Sequence, residues 1–371
     1  MEPLFLFGTL QHRPLLEAVL GHFDDLHSRP AVLRGYNECA VAEGLFSTMI
    51  SASNGAVEGL VIRGLCAEDR DRLDFYESIF GYERLDVVLA DGQGAQAYFP
   101  PEDRWTDEGP WEFEAWVRDW GAMSVLAAAE VMEYRGWKTP EAIANIFPSI
   151  WARACSTLNA QRSRHGELTL QGAVEVSEAR RLYSNYFALE EYDLRHERFD
   201  GTMGKTVMRT VFRAPDAALV LPYDPHRDAV LLVEQMRMGP LARGDRTLWQ
   251  LEPIAGRVDA GELPEVAARR EAREEAGIDL GELLPVAEVY CSPGNSSEFY
   301  YVYVGIADLP GDVAGVGGLA EEHEDIRSHV LSFDRLMEMC DGLKFGNAPL
   351  VMAAYWLARH RGRLREQAGI R

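Results

Sequence analysis

The stretch from Gly256 to Ile278 limits what this chain can fold into more than any other. It reads Gly256-Arg-Val-Asp-Ala-Gly-Glu262, then seven residues, then Arg270-Glu271-Ala-Arg-Glu274-Glu275-Ala-Gly277-Ile278. Glu271, Glu274 and Glu275 recur at i, i+3 and i+4, so a helix here gathers all three carboxylates on one face. Such crowding is unfavourable unless a cation neutralises it. An all-oxygen donor set suits Mg2+ or Mn2+ and not a thiophilic ion. Pro264 fits the first helical turn, where its missing N–H is harmless, and Gly277 supplies a C-terminal stop. Upstream, Leu251-Glu-Pro-Ile-Ala-Gly256 brings an extended segment into a tight loop. The competing reading is a solvated Glu/Arg/Ala helix face. Seven fixed residues over 22 positions favour a metal-dependent phosphate site instead.

The rest of the chain bounds the setting. At 371 residues it exceeds one ordinary core and predicts two domains. The net charge of -22 repels nucleic-acid backbones, and no Lys/Arg cluster interleaves with aromatics, so no nucleic-acid partner is expected. Cys39, Cys66, Cys155, Cys291 and Cys340 are odd in number and form no Cys-x-x-Cys pair, which points to reduced thiols. The start Met1-Glu2-Pro3 lacks a cationic leader region, and no run approaches 18 uncharged apolar residues. A cytoplasmic protein without a membrane partner is expected.

Along the chain, residues 1 to about 110 read as short strands and turns with one early helix at Pro14–Leu20. Strands are expected at Leu4–Phe7, Ala56–Ile62, Arg84–Leu89 and Ala95–Phe99. From 111 the texture is helical: Trp111–Trp120, Ser124–Tyr134, a helix opened by Thr139-Pro140-Glu141, and Ser149–Ala160. This segment, 111–165, reads as a helical connector, its Trp and Met residues as packed core. Strand texture returns from about 168 to Asp216. Ala217–Pro222 and Ala229–Glu234 then form a hairpin across Asp224–Asp228, followed by strands Val286–Cys291 and Phe299–Ile306 and a final helix Ala348–His360. The fold class is α+β.

The spacing Gly-x5-Glu-x7-Arg-Glu-x2-Glu-Glu-x-Gly resembles the Nudix box at each defining position, with Ala272 where the family usually has a larger aliphatic residue. The resemblance implies an α/β/α sandwich over 166–371. It implies a Glu262–Arg270 ion pair that fixes loop to helix, and metal ligands at Ala255 (through its carbonyl), Glu271, Glu275 and Glu324. It makes Glu271, Glu274 and Glu275 catalytic and Mg2+ the cofactor, with Mn2+ as a substitute. Further residues resemble the ADP-ribose pyrophosphatase branch: Pro293 and Gly294 in Cys291-Ser-Pro-Gly-Asn-Ser-Ser-Glu298, the loop Gly318-Leu-Ala-Glu-Glu322-His-Glu324, and Leu232-Val-Glu-Gln-Met-Arg237. By that resemblance Glu322 is the general base on a mobile loop. Arg209 and Arg237 bind substrate, and Tyr186 reaches adenine from the neighbouring subunit of a homodimer formed through this domain. The implied reaction is hydrolysis of ADP-ribose to AMP and ribose 5-phosphate. The same chemistry on ADP-glucose or NADH is the alternative.

Phe5-Leu-Phe7-Gly8-Thr9-Leu10, Leu73-Asp-Phe-Tyr-Glu77 and Tyr82-Glu-Arg84 resemble the gamma-glutamylcyclotransferase-like family, with Phe7 in place of its usual tyrosine. The resemblance implies a small β-barrel-like domain over 1–110. Backbone N–H groups at Gly8, Thr9 and Leu10 would cradle a carboxylate or oxyanion. Glu77 would shuttle the proton that accompanies 5-oxoproline release. The alternative is a ligand sensor or structural module without turnover.

Overall fold

The computed structural model describes residues 2–23, 26–101, 104–161, 169, 171–309, 315–317 and 325–370. The chain divides into two compact units, Met1–Ser163 and Arg164–Arg371.

The first unit runs β1 (Leu4–Leu6), a 3-10 turn (Gly8–Gln11), α1 (Arg13–Leu20), β2 (His27–Val41), β3 (Ser47–Arg63), α2 (Ala67–Ser78), β4 (Glu83–Val88), β5 (Gly94–Phe99) and β6 (Asp107–Pro110). The helices α3 (Phe113–Trp116), α4 (Ala122–Glu133) and α5 (Pro140–Ala160) follow, with a π-helical turn at Val117–Gly121. The strands form one sheet in the order β4-β5-β1-β3-β2-β6, with β1 parallel to β5. A barrel-like closure was expected; the pairing follows a path whose two ends are β4 and β6.

Short strands were also expected here, whereas β2 and β3 pair from His27↔Arg63 to Ala40↔Ser47. The alternation that would reveal β2 is broken at Gly35, whose φ of +89° marks the register shift between Arg34 and Tyr36. Pro148 lies inside a continuous α5. Packing holds that helix through the missing backbone bond: Ile143, Ile146 and Ile150 are buried. Arg153 of α5, 1 % exposed, pairs with Glu130 of α4, which also accepts from the Tyr134 hydroxyl at 2.7 Å. The helical segment packs on α1 and α2 and belongs to the first unit.

In the second unit, β7 (Val174–Ser184), β8 (Ala188–His196) and β9 (Val207–Arg213) make an antiparallel three-stranded sheet. Next come β10 (Ala217–Asp224), β11 (Ala229–Met236), α6 (Met238–Arg243), β12 (Trp249–Glu252), β13 (Ile254–Arg257), α7 (Pro264–Ala276), β14 (Leu283–Tyr290), β15 (Phe299–Ile306), β16 (Val316–Gly317), β17 (Ile326–Ser332), α8 (Phe333–Asp341) and α9 (Ala348–Gln367). The main sheet is ordered β14-β15-β10-β11-β17-β16, with β12 on β11 and β13 on β10. The period of two along β10 and β11 decides the layers. Ala218, Val220, Leu231 and Val233 face Ala267, Ala268 and Ala272 of α7. Leu219, Leu221, Val230 and Leu232 face α8 and α9 at Leu336, Leu350, Ala353 and Leu357. This is the expected α/β/α sandwich. The expected hairpin joins β10 to β11, where the Asp224 carboxylate accepts the N–H groups of His226 at 2.8 Å and Arg227 at 3.0 Å.

Candidate active sites

The strand-to-loop entry and α7 together build the larger site. Small alanines let α7 sit close to the sheet, and its polar face turns to the loop after β13. Gly256 leaves room for a carboxylate: a Cβ at this position would lie 1.8 Å from Oε1 of Glu271 and push that side chain aside. The Glu271 carboxylate therefore closes directly on the loop backbone. Glu275 is buried at 2 % exposure and accepts the Ala255 N–H at 3.3 Å. The Arg270 guanidinium ties the parts together. It donates to both oxygens of Glu262 at 3.1 and 3.0 Å, to the carbonyl of Arg257 at 3.0 Å, to Glu271 at 2.6 Å and to Glu274 at 2.9 Å. Burial alone would lower the Arg270 pKa, but the pairs with Glu262 and Glu271 outweigh it and raise it above the ordinary value. The expected Glu262–Arg270 pair is present.

Ala255, Gly256, Arg270 and Glu271 line a cavity of about 610 Å3, with Tyr186, Phe187 and Arg237 on its other walls. Arg237 is held by Glu252, which accepts from its Nε at 2.7 Å and from Asn347 at 3.1 Å. Tyr186 meets Phe187 edge to face at 4.7 Å, and the Arg257 guanidinium lies 5.7 Å from its ring centre. Tyr186 thus lines the cavity of its own chain. The Tyr300 hydroxyl donates to Glu298 at 3.0 Å on the same lining.

Of the residues singled out from sequence, the structure brings Tyr186, Arg237, Ala255 and Glu271 onto one cavity, with Glu274 and Glu275 beside them on α7. Arg209 is exposed on β9, donates to the Met208 carbonyl at 2.9 Å and does not line the cavity. Pro293 and Gly294 are exposed in their loop and also lie off the lining. Glu322 and Glu324 lie outside the described residues. Sequence reasoning missed Phe187, Arg257, Glu298, Tyr300 and Asn347 as lining residues. Arg257 and Asn347 had signals: the first sits inside the motif, and the second is an Asn N-cap two residues before Pro349.

A hard divalent cation fits the donor chemistry, since Glu271, Glu275 and the Ala255 carbonyl offer only oxygen. The glycine at 256 leaves the room this arrangement needs. Among the described residues no cluster of three or more His, Cys, Asp or Glu side chains is gathered tightly enough to hold an ion.

The second site is a narrow pocket of about 50 Å3 in the first unit, lined by Phe7, Gly8, Thr9, Leu10, Ser47 and Glu77 among others. Gly8 has φ +59°, and a Cβ there would lie 2.2 Å from the Ser47 hydroxyl, so both conformation and space demand glycine. The Gly8 N–H faces Glu38, which also accepts from Ser47 at 2.7 Å. That backbone donor, expected to serve a ligand, already holds one of the chain's own carboxylates. Glu77 sits on α2 with protein packed around its carboxyl, and no hydrogen-bond partner to that carboxyl occurs among the described residues. Burial first, then the charge of Asp74, pushes its pKa up to about 8. Asp74 is itself fixed by Arg84 at 2.6 and 2.7 Å and by the Tyr98 hydroxyl at 2.8 Å. A carboxyl that titrates near neutrality can both take and return a proton.

Comparison with known proteins finds a match in each half of the chain. The NUDIX domain model matches residues 213–353, and the model for gamma-glutamyl cyclotransferase, AIG2-like, matches 4–117. Over 194 residues the chain is 40% identical to the ADP-ribose pyrophosphatase of Escherichia coli (strain K12), spanning 52% of this chain and 92% of that protein. It is 36% identical over 199 residues to the ADP-ribose pyrophosphatase of Haemophilus influenzae, covering 53% and 91%. It is also 35% identical over 161 residues to the GDP-mannose pyrophosphatase of Salmonella paratyphi B, covering 43% and 81%. The chain belongs to the Nudix family and is a hydrolase. It carries an AIG2-like gamma-glutamyl cyclotransferase domain ahead of the Nudix domain.

Proposed function

We propose that the second unit hydrolyses the diphosphate of a nucleoside diphosphate derivative, and that this substrate is ADP-ribose, giving AMP and ribose 5-phosphate. The observation that carries this reading is the convergence on one cavity of the Glu271–Gly256 closure, the Arg237 guanidinium and the Tyr186/Phe187 rings. The identity with two ADP-ribose pyrophosphatases supports the choice of substrate. Arg237, held through Nε by Glu252, turns its remaining N–H groups to a phosphate. Tyr186 and Phe187 offer ring faces to adenine. Glu271, Glu275, the Ala255 carbonyl and Glu324 would hold Mg2+, with Mn2+ as a substitute. Bound there, the ion supplies positive charge against the diphosphate oxygens. Glu322 takes the proton of the attacking water. Arg270 keeps Glu271 and Glu274 in place while Glu262 anchors it.

The same proposal includes a homodimer formed through the Nudix domain, supported by exposed Val174, Val176, Tyr183, Leu189 and Met208 on β7–β9. Arg209 and the loop at Pro293 and Gly294 would then meet substrate through that assembly. The protein acts in the cytoplasm, where its five unpaired cysteines stay reduced. Among the described residues no helix is long and apolar enough to cross a membrane. AMP release from ADP-ribose, ADP-glucose and NADH with Mg2+ tests the assignment: equal or better turnover of either competitor overturns ADP-ribose.

A second reading concerns the cyclotransferase-like domain expected over residues 1–110, within the first unit, and Glu77 in its pocket favours it. The substrate is a gamma-glutamyl amide. Its α-amine nitrogen bonds to the γ-carbonyl carbon, the amide C–N bond breaks, and Glu77 carries the amine proton to the departing nitrogen. Products are 5-oxoproline and a free amine. Glu77→Gln should remove this turnover and leave the diphosphatase intact.

A further inference from the structure

The pocket over Glu77 is not closed by the strand module alone. Trp116, Ser124, Phe147 and Trp151 line it from the helical segment that starts at Phe113. Phe147 and Trp151 belong to α5, and their placement follows from the buried Arg153–Glu130 pair that locks α5 to α4. The rings form an unbroken series: Phe46 to Phe80 at 5.2 Å, Phe80 to Phe147 at 5.1 Å, and Phe147 to Trp151 at 5.1 Å. Among the described residues no Lys, Arg or His lines the pocket, and Glu77 is the one carboxylate on the lining. A carboxylate of the amine part against this wall would lose its hydration with no cation to replace it. The open volume is only about 50 Å3, so a bulky amine part would press on the Phe147 and Trp151 rings.

Resting on the cyclotransferase reading of this pocket, we infer that it selects γ-glutamyl amides whose amine part is a short, uncharged alkyl group, with Trp151 of α5 setting the size limit. The helical segment is then the specificity wall of the first site. Glu77 handles the proton and the α5 rings choose the amine.

The test uses the full chain and four compounds: γ-glutamyl-ethylamide, γ-glutamyl-phenethylamide, γ-glutamyl-glycine and ε-(γ-glutamyl)-lysine. 5-Oxoproline release is expected with kcat/KM at least about 100-fold higher for the ethylamide than for the two charged compounds. Trp151→Ala should lower the ethylamide value and move the phenethylamide-to-ethylamide ratio at least about tenfold toward the larger amine. A merely structural role would lower all four together, and that result overturns the inference. Equal turnover of charged and uncharged amides also overturns it. Calorimetric binding to the Glu77→Gln chain separates this claim from catalysis. If no compound turns over but the ethylamide binds in preference to γ-glutamyl-glycine, and does so through Trp151, the cyclotransferase reading fails and the selectivity stands. If none binds, both fall.

Discussion

Replacing Glu77 with Gln should change how the stability of the first unit depends on pH. The Glu77 carboxyl titrates near 4.5 when unfolded and is pushed up to about 8 in the folded protein, by burial and then by Asp74. Below pH 4.5 both states carry the proton, and folding is indifferent to it. Between pH 4.5 and 8 the unfolded chain ionises while the folded chain does not, so wild-type stability falls as pH rises. Above pH 8 the loss is complete. Each pH unit of that span is worth about 1.4 kcal/mol, which sets a ceiling of roughly 5 kcal/mol. Glu77 is partly exposed at the pocket, and screening there brings the expected figure to about 2–3 kcal/mol. Gln cannot ionise, so the variant minus wild-type stability should climb from near zero at pH 4.5 to that value at pH 8. Urea unfolding followed by tryptophan fluorescence reads it, because six of the eight tryptophans precede residue 164. A constant offset from a slightly different fit of Gln does not matter, since the slope is the observable. A difference that stays flat across the range would refute a Glu77 carboxyl held neutral by its surroundings.

Three further outcomes are expected. Gly256→Ala should lower diphosphatase kcat by about 100-fold or more with little change in affinity for nucleotide, because the new Cβ displaces the Glu271 carboxylate; steady-state kinetics would show otherwise if KM alone moved. Arg153→Ala should destabilise the first unit by about 3–5 kcal/mol, since it strands buried Glu130. Retained stability in denaturant melts would contradict that. Glu252→Gln should raise KM several-fold more than it lowers kcat, as Arg237 loses its anchor, and a pure kcat effect would count against Arg237 as a substrate contact.

Sequence carried the second unit well because its chemistry forces its form. Three glutamates at helical spacing between a proline and a glycine leave few arrangements, and α7 spans Pro264–Ala276 with Gly277 as its left-handed cap. The apolar runs of β10 and β11 on either side of the turn at Asp224–Asp228 likewise made their hairpin readable. What stayed hidden depends on contacts distant in sequence. β2 was lost behind the break at Gly35. α8 had no motif, although its burial of Phe333 and Leu336 completes the far layer. The wall of the Glu77 pocket was illegible for the same reason. Phe147 and Trp151 look like ordinary core until the fold sets them against Phe80, far upstream in sequence. Arg237 was found from its strand, but Glu252, which accepts from it, and Asn347, which donates to Glu252, converge only in three dimensions.

The central claim is that the Nudix unit is an ADP-ribose diphosphatase built on the α7 carboxylates. The most direct measurement is AMP and ribose 5-phosphate release from ADP-ribose with Mg2+, by the wild-type full chain and by Glu275→Gln. The account predicts one AMP per ribose 5-phosphate, faster turnover than with ADP-glucose or NADH, and a loss of at least about 1,000-fold in kcat for the variant. Undiminished release by Glu275→Gln, or a faster reaction with a competing diphosphate, would contradict it.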